Sequence, residues 1–349
     1  MEINGNRFMM TNKFLDLGLL DLDDMNKIEG LHKLKDLEEL QLNANEIPKI
    51  TNLNKLKNLK SLNMGNNAIS RIEGLDNLRN LEVLHLASNL ITNIEGLDKL
   101  TNLRELYLRG NTIEEIKGLE NLKKLEKLDL SWNGLKEING LESLQNLEVL
   151  WIAGNRIREI GGLKNLKNVK ILNLAGNQIK KIKELNYNYN LEELYLNNNY
   201  IHRIDGLDAL SNLKTLFLNG NKITSMIGLE NCINLKVLNL KDNDIEHIEG
   251  LYQLSNLEKL FLSGNKIKEI RGLEASVNLN TLDLGNNKIS EVRGLESLYA
   301  LGALWLNGNG IPSDVLNELG GVDSSGCAIM PLRFVEYSLI RLSETEPIS

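Results

Sequence analysis

Residues 103–124 read LRELYLRGNTIEEIKGLENLKK, and residues 125–146 repeat the design as LEKLDLSWNGLKEINGLESLQN. The phrase L-x-x-L-x-L-x-x-N, with Ile or Leu two residues on, closes on Asn45, Asn67, Asn89, Asn111, Asn133, Asn155, Asn177, Asn199, Asn221, Asn243, Asn265, Asn287 and Asn309. The spacing is 22 residues throughout. A fixed period of this length means stacked repeats, each too small to bury its apolar face alone. Such a chain offers long faces and two ends rather than an enclosed pocket.

We number each repeat from its opening apolar residue (Leu37, Leu59, and so on to Leu301). Slots 1, 4 and 6 are apolar in every copy, as in Leu103, Leu106 and Leu108. Slots 4 and 6 flank one outward residue, which is strand spacing. Stacked strands of this kind form a parallel sheet. The slot-9 asparagine stands where the chain leaves the strand. Its amide both donates and accepts, so it can satisfy backbone groups that the turn buries. Slots 11, 14, 17 and 20 carry the apolar set onward, as in Ile91, Ile94, Leu97 and Leu100. A spacing of three suits short 3₁₀ turns. Slot 16 is glycine in most copies, for example Gly74 and Gly96. That implies a positive φ or a close backbone approach.

The expected organisation is a tail over 1–14, a degenerate capping repeat over 15–36 and thirteen repeats over 37–322. A cap with a short helix follows over 323–342, then a loose tail over 343–349. In the capping repeat Leu15, Gly18, Leu20 and Asp23 take the first slots. Asn52 and Glu184 replace the slot-16 glycine, while Asn188 and Ser276 interrupt slot 20. The stretch Asn186–Asn190 is a place where the stack could bend or open. Past Ile311 the repeat decays. Ser313 is read as the N-cap of a helix from Asp314 to Leu319. Pro331 opens a second helical stretch, Leu332 to Leu342, with Leu332, Val335 and Leu339 along one face. That stretch either caps the last repeat or docks a partner.

Composition narrows the class. Hydrophobic residues make up 42% of the 349, enough for a continuous core, so disorder is excluded. Net charge is −7, against a general nucleic-acid footprint. No apolar stretch reaches membrane-span length, and Met1 to Phe14 lacks the pattern of a signal peptide. Two cysteines stand far apart, and no N-x-[ST] sequon occurs despite many asparagines. The expectation is a soluble cytoplasmic protein with no membrane span.

The repeat resembles the leucine-rich repeat family in its 22-residue class over residues 15–322. The linkage in Ile94-Glu95-Gly96-Leu97, followed by Leu100 and Asn102, is most similar to the intracellular regulatory subunits of protein phosphatase 1. The resemblance implies an α/β repeat solenoid: a right-handed horseshoe with a concave parallel β-sheet and convex 3₁₀ turns. It also implies a protein partner on the concave face, with a phosphatase catalytic subunit as the specific candidate. The C-terminal cap departs from the phosphatase-regulator pattern.

Slots 3 and 5 point away from the leucine core. Slot 5 reads Gln41, Asn63, His85, Tyr107, Asp129, Trp151, Asn173, Tyr195, Phe217, Asn239, Phe261, Asp283, Trp305. Six of the chain's sixteen aromatic residues fall here, where random placement gives fewer than one. Strand propensity favours aromatics, but these rings cannot enter a core already filled by leucine. An exposed aromatic row marks a binding surface. One predicted patch holds His85, Glu105, Tyr107, Arg109, Asp129, Trp132 and Trp151, with Arg109 able to stack on a ring. The other holds Glu193, Tyr195, Phe217, Lys259, Phe261, Asp283 and Trp305. At ~4.8 Å per strand, thirteen strands span about 60 Å, enough to grip a folded domain. A lysine cluster (Lys164, Lys167, Lys170, Lys180, Lys181, Lys183) reads as solvated surface, or as a contact for an anionic partner or membrane surface.

Enzyme chemistry is not visible. His32, His85, His202 and His247 show no metal-ligand spacing, and there is no P-loop or G-x-S-x-G. Cys232 fills slot 20 as a small apolar residue. Cys327 lacks a placed base and reads as structural. Asp129 and Asp283 are too many strands apart for a carboxylate pair. The sequence therefore predicts no catalysis, metal or cofactor, and a monomer when unbound. It predicts a protein-binding scaffold or regulatory subunit. A structural assembly module is the alternative, and an enzyme using Cys327 the weakest reading.

Overall fold

The computed structural model describes residues 2–3 and 6–345. The chain forms two compact units, 1–177 and 178–349. In the first, β1 (Glu2–Ile3) pairs antiparallel with β2 (Asn6–Arg7). Then β3 (Phe14–Asp16), β4 (Glu39–Gln41), β5 (Ser61–Asn63), β6 (Val83–His85), β7 (Glu105–Tyr107), β8 (Lys127–Asp129), β9 (Val149–Trp151) and β10 (Ile171–Asn173) follow in order. They pair parallel with like slots aligned, as in Leu106↔Leu128 and Leu128↔Leu150.

The second unit holds β11 (Glu193–Tyr195), β12 (Thr215–Phe217), β13 (Val237–Asn239), β14 (Lys259–Phe261), β15 (Thr281–Asp283) and β16 (Ala303–Trp305). These are again parallel and in register. Two helices end it, α1 (Ser313–Glu318) and α2 (Pro331–Thr345). Each unit by itself is a right-handed parallel β-solenoid, with very little helix.

Strands β3 to β16 are three residues long and bury the central leucine, and from β5 to β13 both of its neighbours are half-exposed. Slots 1, 6, 11, 14 and 17 are buried alongside. A fully buried leucine or isoleucine contributes about 1.5–3 kcal/mol, so the stack of such residues carries the fold. The convex turns close by i→i+3 bonds, as in Leu78 N to Leu75 O (2.9 Å) and Leu81 N to Leu78 O (3.0 Å). Only Met25–Lys27 and Leu31–Lys33 extend into 3₁₀ helices among the described residues.

Two asparagine ladders lock the repeats together. Asn155 Nδ2 donates to Leu130 O (3.0 Å) of the preceding repeat and to Ile152 O (3.1 Å), while its Oδ1 accepts from Leu135 N (3.0 Å). The same set recurs at Asn111, Asn221 and Asn243. A second ladder lies in slot 22, which the sequence reading left without a role. There Asn146 donates to Lys123 O (2.8 Å), Asn212 to Tyr189 O and Asn256 to Ile233 O. Slot 16 favours glycine for both reasons offered. At Gly96 φ is 67°, and an added Cβ would lie 2.3 Å from Ile72 O.

Several expectations shift. Leu15 pairs with Leu40, so it stands in slot 4 rather than slot 1 and the first repeat is three residues longer than the others. Its buried residues are Leu15, Leu17, Leu22, Met25, Ile28 and Leu31, and Leu20 is only half-buried. Glu184 and Asn52 keep the left-handed slot-16 backbone at φ 59°. Around Asn188 the turns are regular, with Asn188 N to Leu185 O and Leu191 N to Asn188 O both 3.0 Å, so no local opening is seen in that repeat. Ser313 is the first residue of α1 rather than its cap, and Pro312 before it offers no side-chain bond.

The expected inner face of α2 holds at Val335 and is corrected at Leu332 and Leu339. Leu332 and Leu339 are exposed; Phe334, Val335 and Ser338 are buried. Ser338 Oγ accepts from Leu295 N (3.1 Å) and donates to Glu296 (2.7 Å), which satisfies a backbone donor at the end of the stack. The helix runs to Thr345, past the start of the expected loose tail, and 346–349 lie outside the described residues. So do Met1, Asn4 and Gly5 of the expected N-terminal tail.

Candidate functional site

Because slot 4 faces the core, slots 3 and 5 face outward on every strand. In the first unit this lines up His85, Glu105, Tyr107, Asp129 and Trp151, with Arg109 in slot 7 and Trp132 in slot 8 just past the strands. His85 and Tyr107 stack with centroids 4.1 Å apart and planes within 3°. Tyr107 and Trp151 lie 6.4 Å apart at 24°, leaning over the strand that carries Asp129. Such aromatic pairs prefer offset or edge geometry. The Tyr107 hydroxyl donates to Glu105 (2.6 Å), and Lys127 donates to the other oxygen of that carboxylate (3.0 Å).

Burial and the Glu105 carboxylate push the Tyr107 pKa upward. Burial works against ionised Glu105, but the bonds from Tyr107 and Lys127 prevail and hold it below its usual value. Burial lowers the pKa of His85, against the pull of Glu105. His85 and Tyr107 therefore present uncharged rings beside a fixed carboxylate, that of Glu105.

Trp132 sits in slot 8, just past β8. Every slot-8 residue is left-handed, with φ between 52° and 70°. Most are Gly, Asn, Asp or Ser, which tolerate this backbone; Trp132 does not, yet holds φ 57°. Its ring is 59% exposed and packs over Gly154, with the Arg109 guanidinium 5.8 Å from its centroid. Strain of this sort persists only where the surrounding structure over-determines it, as the repeat turn does here. Trp132→Gly is expected to leave stability unchanged or raise it by up to about 1 kcal/mol in urea unfolding, as relieved strain offsets lost packing. A loss above about 1 kcal/mol would make the ring a structural element.

In the second unit Tyr195 and Phe217 meet edge-on, 5.2 Å apart at 82°. Tyr195 donates to Glu193 (2.6 Å), and burial together with that carboxylate raises its pKa to about 12. Further along, Phe261, Asp283 and Trp305 occupy slot 5 of successive strands. Lys259 is exposed beside them in slot 3. Asp283, expected on the open face, is only 7% exposed. Lys241 covers it at 2.5 Å and lies 5.2 Å from the Phe261 ring; Ser263 and Gly285 N add hydrogen bonds. Sequence reading missed Lys241, because slot 7 is otherwise small or neutral over most of the chain. These groups line an open cleft of about 410 Å³.

The thirteen-fold Asn phrase, the parallel three-residue strands and the double asparagine ladder coincide with a family description, "Leucine Rich repeats (2 copies)", matched over 57–99, 101–144, 145–187, 189–231 and 233–275. The chain belongs to the leucine-rich-repeat family. No curated protein sequence matches it. Among solved structures, an internalin (inlF) of Listeria monocytogenes is 30% identical, covering 80% of this chain and 84% of its own at a TM-score of 0.73. A leucine-rich-repeat protein of Leptospira interrogans is 27% identical, covering 87% and 92%, at a TM-score of 0.72. TLR13, solved with ssRNA13, is 23% identical over 86% of this chain and 51% of its own, with a TM-score of 0.68, and shares the fold.

The leucine-rich-repeat solenoid is a non-catalytic interaction scaffold. Among the described residues no group of three or more His, Cys, Asp or Glu could hold a metal ion. Burial, and then Asp208 and Glu230, push the Cys232 thiol up to about 12 in its core slot, which disfavours the thiolate. Among the described residues no helix is long and apolar enough to cross a membrane. In the lysine cluster, Lys170 pairs with Glu148 at 3.0 Å. Such exposed pairs add little stability.

Proposed function

We propose that this leucine-rich-repeat protein is a non-enzymatic scaffold or regulatory subunit that holds a folded protein on the outward row of its strands. The observation that carries the reading is the row itself. Tyr107, Trp151, Tyr195, Phe217, Phe261 and Trp305 remain half-exposed beside a core that leucines already fill. Rigid aromatic anchors with fixed carboxylates at their margins are the usual centre and rim of a protein interface. Net charge of −7 favours a protein partner over nucleic acid.

The linkage motif shared with phosphatase regulators names a phosphatase catalytic subunit as the specific candidate. The free cysteines, Cys232 and Cys327, suit an intracellular, cytoplasmic setting. The test is affinity capture from source-cell lysate with mass spectrometry, using wild type beside a folded Tyr107→Ala, Trp151→Ala, Phe217→Ala, Trp305→Ala variant. A partner lost only with the variant supports the reading. Equal recovery with both baits moves the site elsewhere. A concentration-independent monomer mass by size exclusion is expected; a stable oligomer supports the assembly-module alternative instead.

A further inference from the structure

The outward row carries a duplication at a longer period than the repeat. Tyr107, Asp129 and Trp151 occupy slot 5 of β7, β8 and β9; seven repeats later Phe261, Asp283 and Trp305 occupy slot 5 of β14, β15 and β16. Each set is aromatic, aspartate, tryptophan. Leucines recur at every repeat and are uninformative here. Outward residues are free to vary, so the shared triad points to shared recognition chemistry in each unit.

The second copy displays that chemistry. A cation sits in it: Lys241 Nζ is 2.5 Å from Asp283 and 5.2 Å from the Phe261 ring. A carboxylate beside an aromatic face attracts cations by charge and by ring quadrupole together. In the first copy the position equivalent to Lys241 is Ala87, which cannot fill the site. Asp129 accepts the Ser131 backbone N–H (2.9 Å), and among the described residues no lysine or arginine pairs with it. The neighbouring cations are committed elsewhere, Lys127 to Glu105 and Arg109 over Trp132.

We propose that Tyr107, Asp129 and Trp151 form a receptor for an arginine side chain of the protein partner, a proposal that rests on the protein-binding reading above. The rings are nearly parallel, so the gap between them is a flat slit. A planar guanidinium between two rings needs about 7 Å, two contacts of about 3.5 Å each. The 6.4 Å separation reaches this with a small movement of the exposed Trp151 edge. The Asp129 carboxylate then accepts the guanidinium fork, a pairing an ammonium cannot match. His85 stacks on the far side of Tyr107 and holds that ring in place. The second copy is self-occupied by Lys241, so the chain offers one open receptor and one closed.

The three tryptophans give three indole N–H resonances, assignable with single Trp→Phe variants. Titrating the full chain with N-acetyl-arginine amide should shift the Trp151 resonance saturably and leave Trp305 still. Asp129→Asn keeps an acceptor for Ser131 N, so the turn should survive, but weakens the arginine response roughly tenfold. Lys241→Ala should make Trp305 responsive as well. N-acetyl-lysine amide should bind more weakly than the arginine compound. An unresponsive Trp151, equal shifts in Asp129→Asn, or an equal lysine response overturns the proposal. Failure here, with the four-ring variant still losing its partner, removes the arginine assignment alone. Retention of the partner by that variant removes the protein-binding reading itself.

Discussion

Asn155→Ala is expected to lower the unfolding free energy by about 3 kcal/mol, read from urea midpoints by circular dichroism. The side chain is buried and makes three short bonds to backbone groups of two repeats, at Leu130 O, Ile152 O and Leu135 N. Alanine leaves those groups without partners where water enters poorly, and each such group costs about 1–3 kcal/mol. The slot-22 ladder supplies the control. Asn146 is exposed and makes one bond, to Lys123 O, so Asn146→Ala should cost about 1 kcal/mol or less. Equal losses at the two sites would show that burial is not what gives the slot-9 ladder its weight.

Asn155 also shows why so much of the fold was legible. A 22-residue period forces each slot into one environment, so composition at a slot reports burial directly. Slot 4 is leucine on nearly every strand and slot 9 asparagine in every regular repeat, and the structure gives each the role its chemistry suggests. Legibility failed where the partner of a residue lies outside the period. Leu15 was assigned the wrong slot because its repeat is longer, a length fixed by pairing with Leu40. On α2 helical spacing places Val335 inward, as the structure does, but it cannot reveal that Ser338 is buried where it satisfies Leu295 N. The slot-22 asparagines were noted as part of the linkage, but their carbonyl acceptors lie a repeat away in space.

The outward row was legible in a different way. No packing rule specifies slot 5, so its aromatic content was anomalous rather than patterned. What remained hidden was how those side chains engage one another. Asp129 and Asp283 look equivalent in sequence, yet one is open and the other lies under Lys241. The difference turns on slot 7, Ala87 in one unit and Lys241 in the other, a residue two strands away. Electrostatic pairing at that remove follows from register, which the period supplies, and from side-chain reach, which it does not.

Trp151→Ala is the second large effect expected, and it should separate from Asn155→Ala in kind. The ring is half-exposed and its contact with Tyr107 is a loose stack at 6.4 Å, so unfolding should change by less than about 1 kcal/mol. Binding to the captured partner should weaken by about 2 kcal/mol or more, roughly thirtyfold in Kd by surface plasmon resonance. Asn155→Ala should show the reverse, with partner affinity nearly intact under conditions where the variant stays folded. If Trp151→Ala costs as much stability as Asn155→Ala, the ring belongs to the core. In that case the aromatic row is better explained as strand packing. Stability held with affinity lost would assign slot 5 to recognition and slot 9 to the stack.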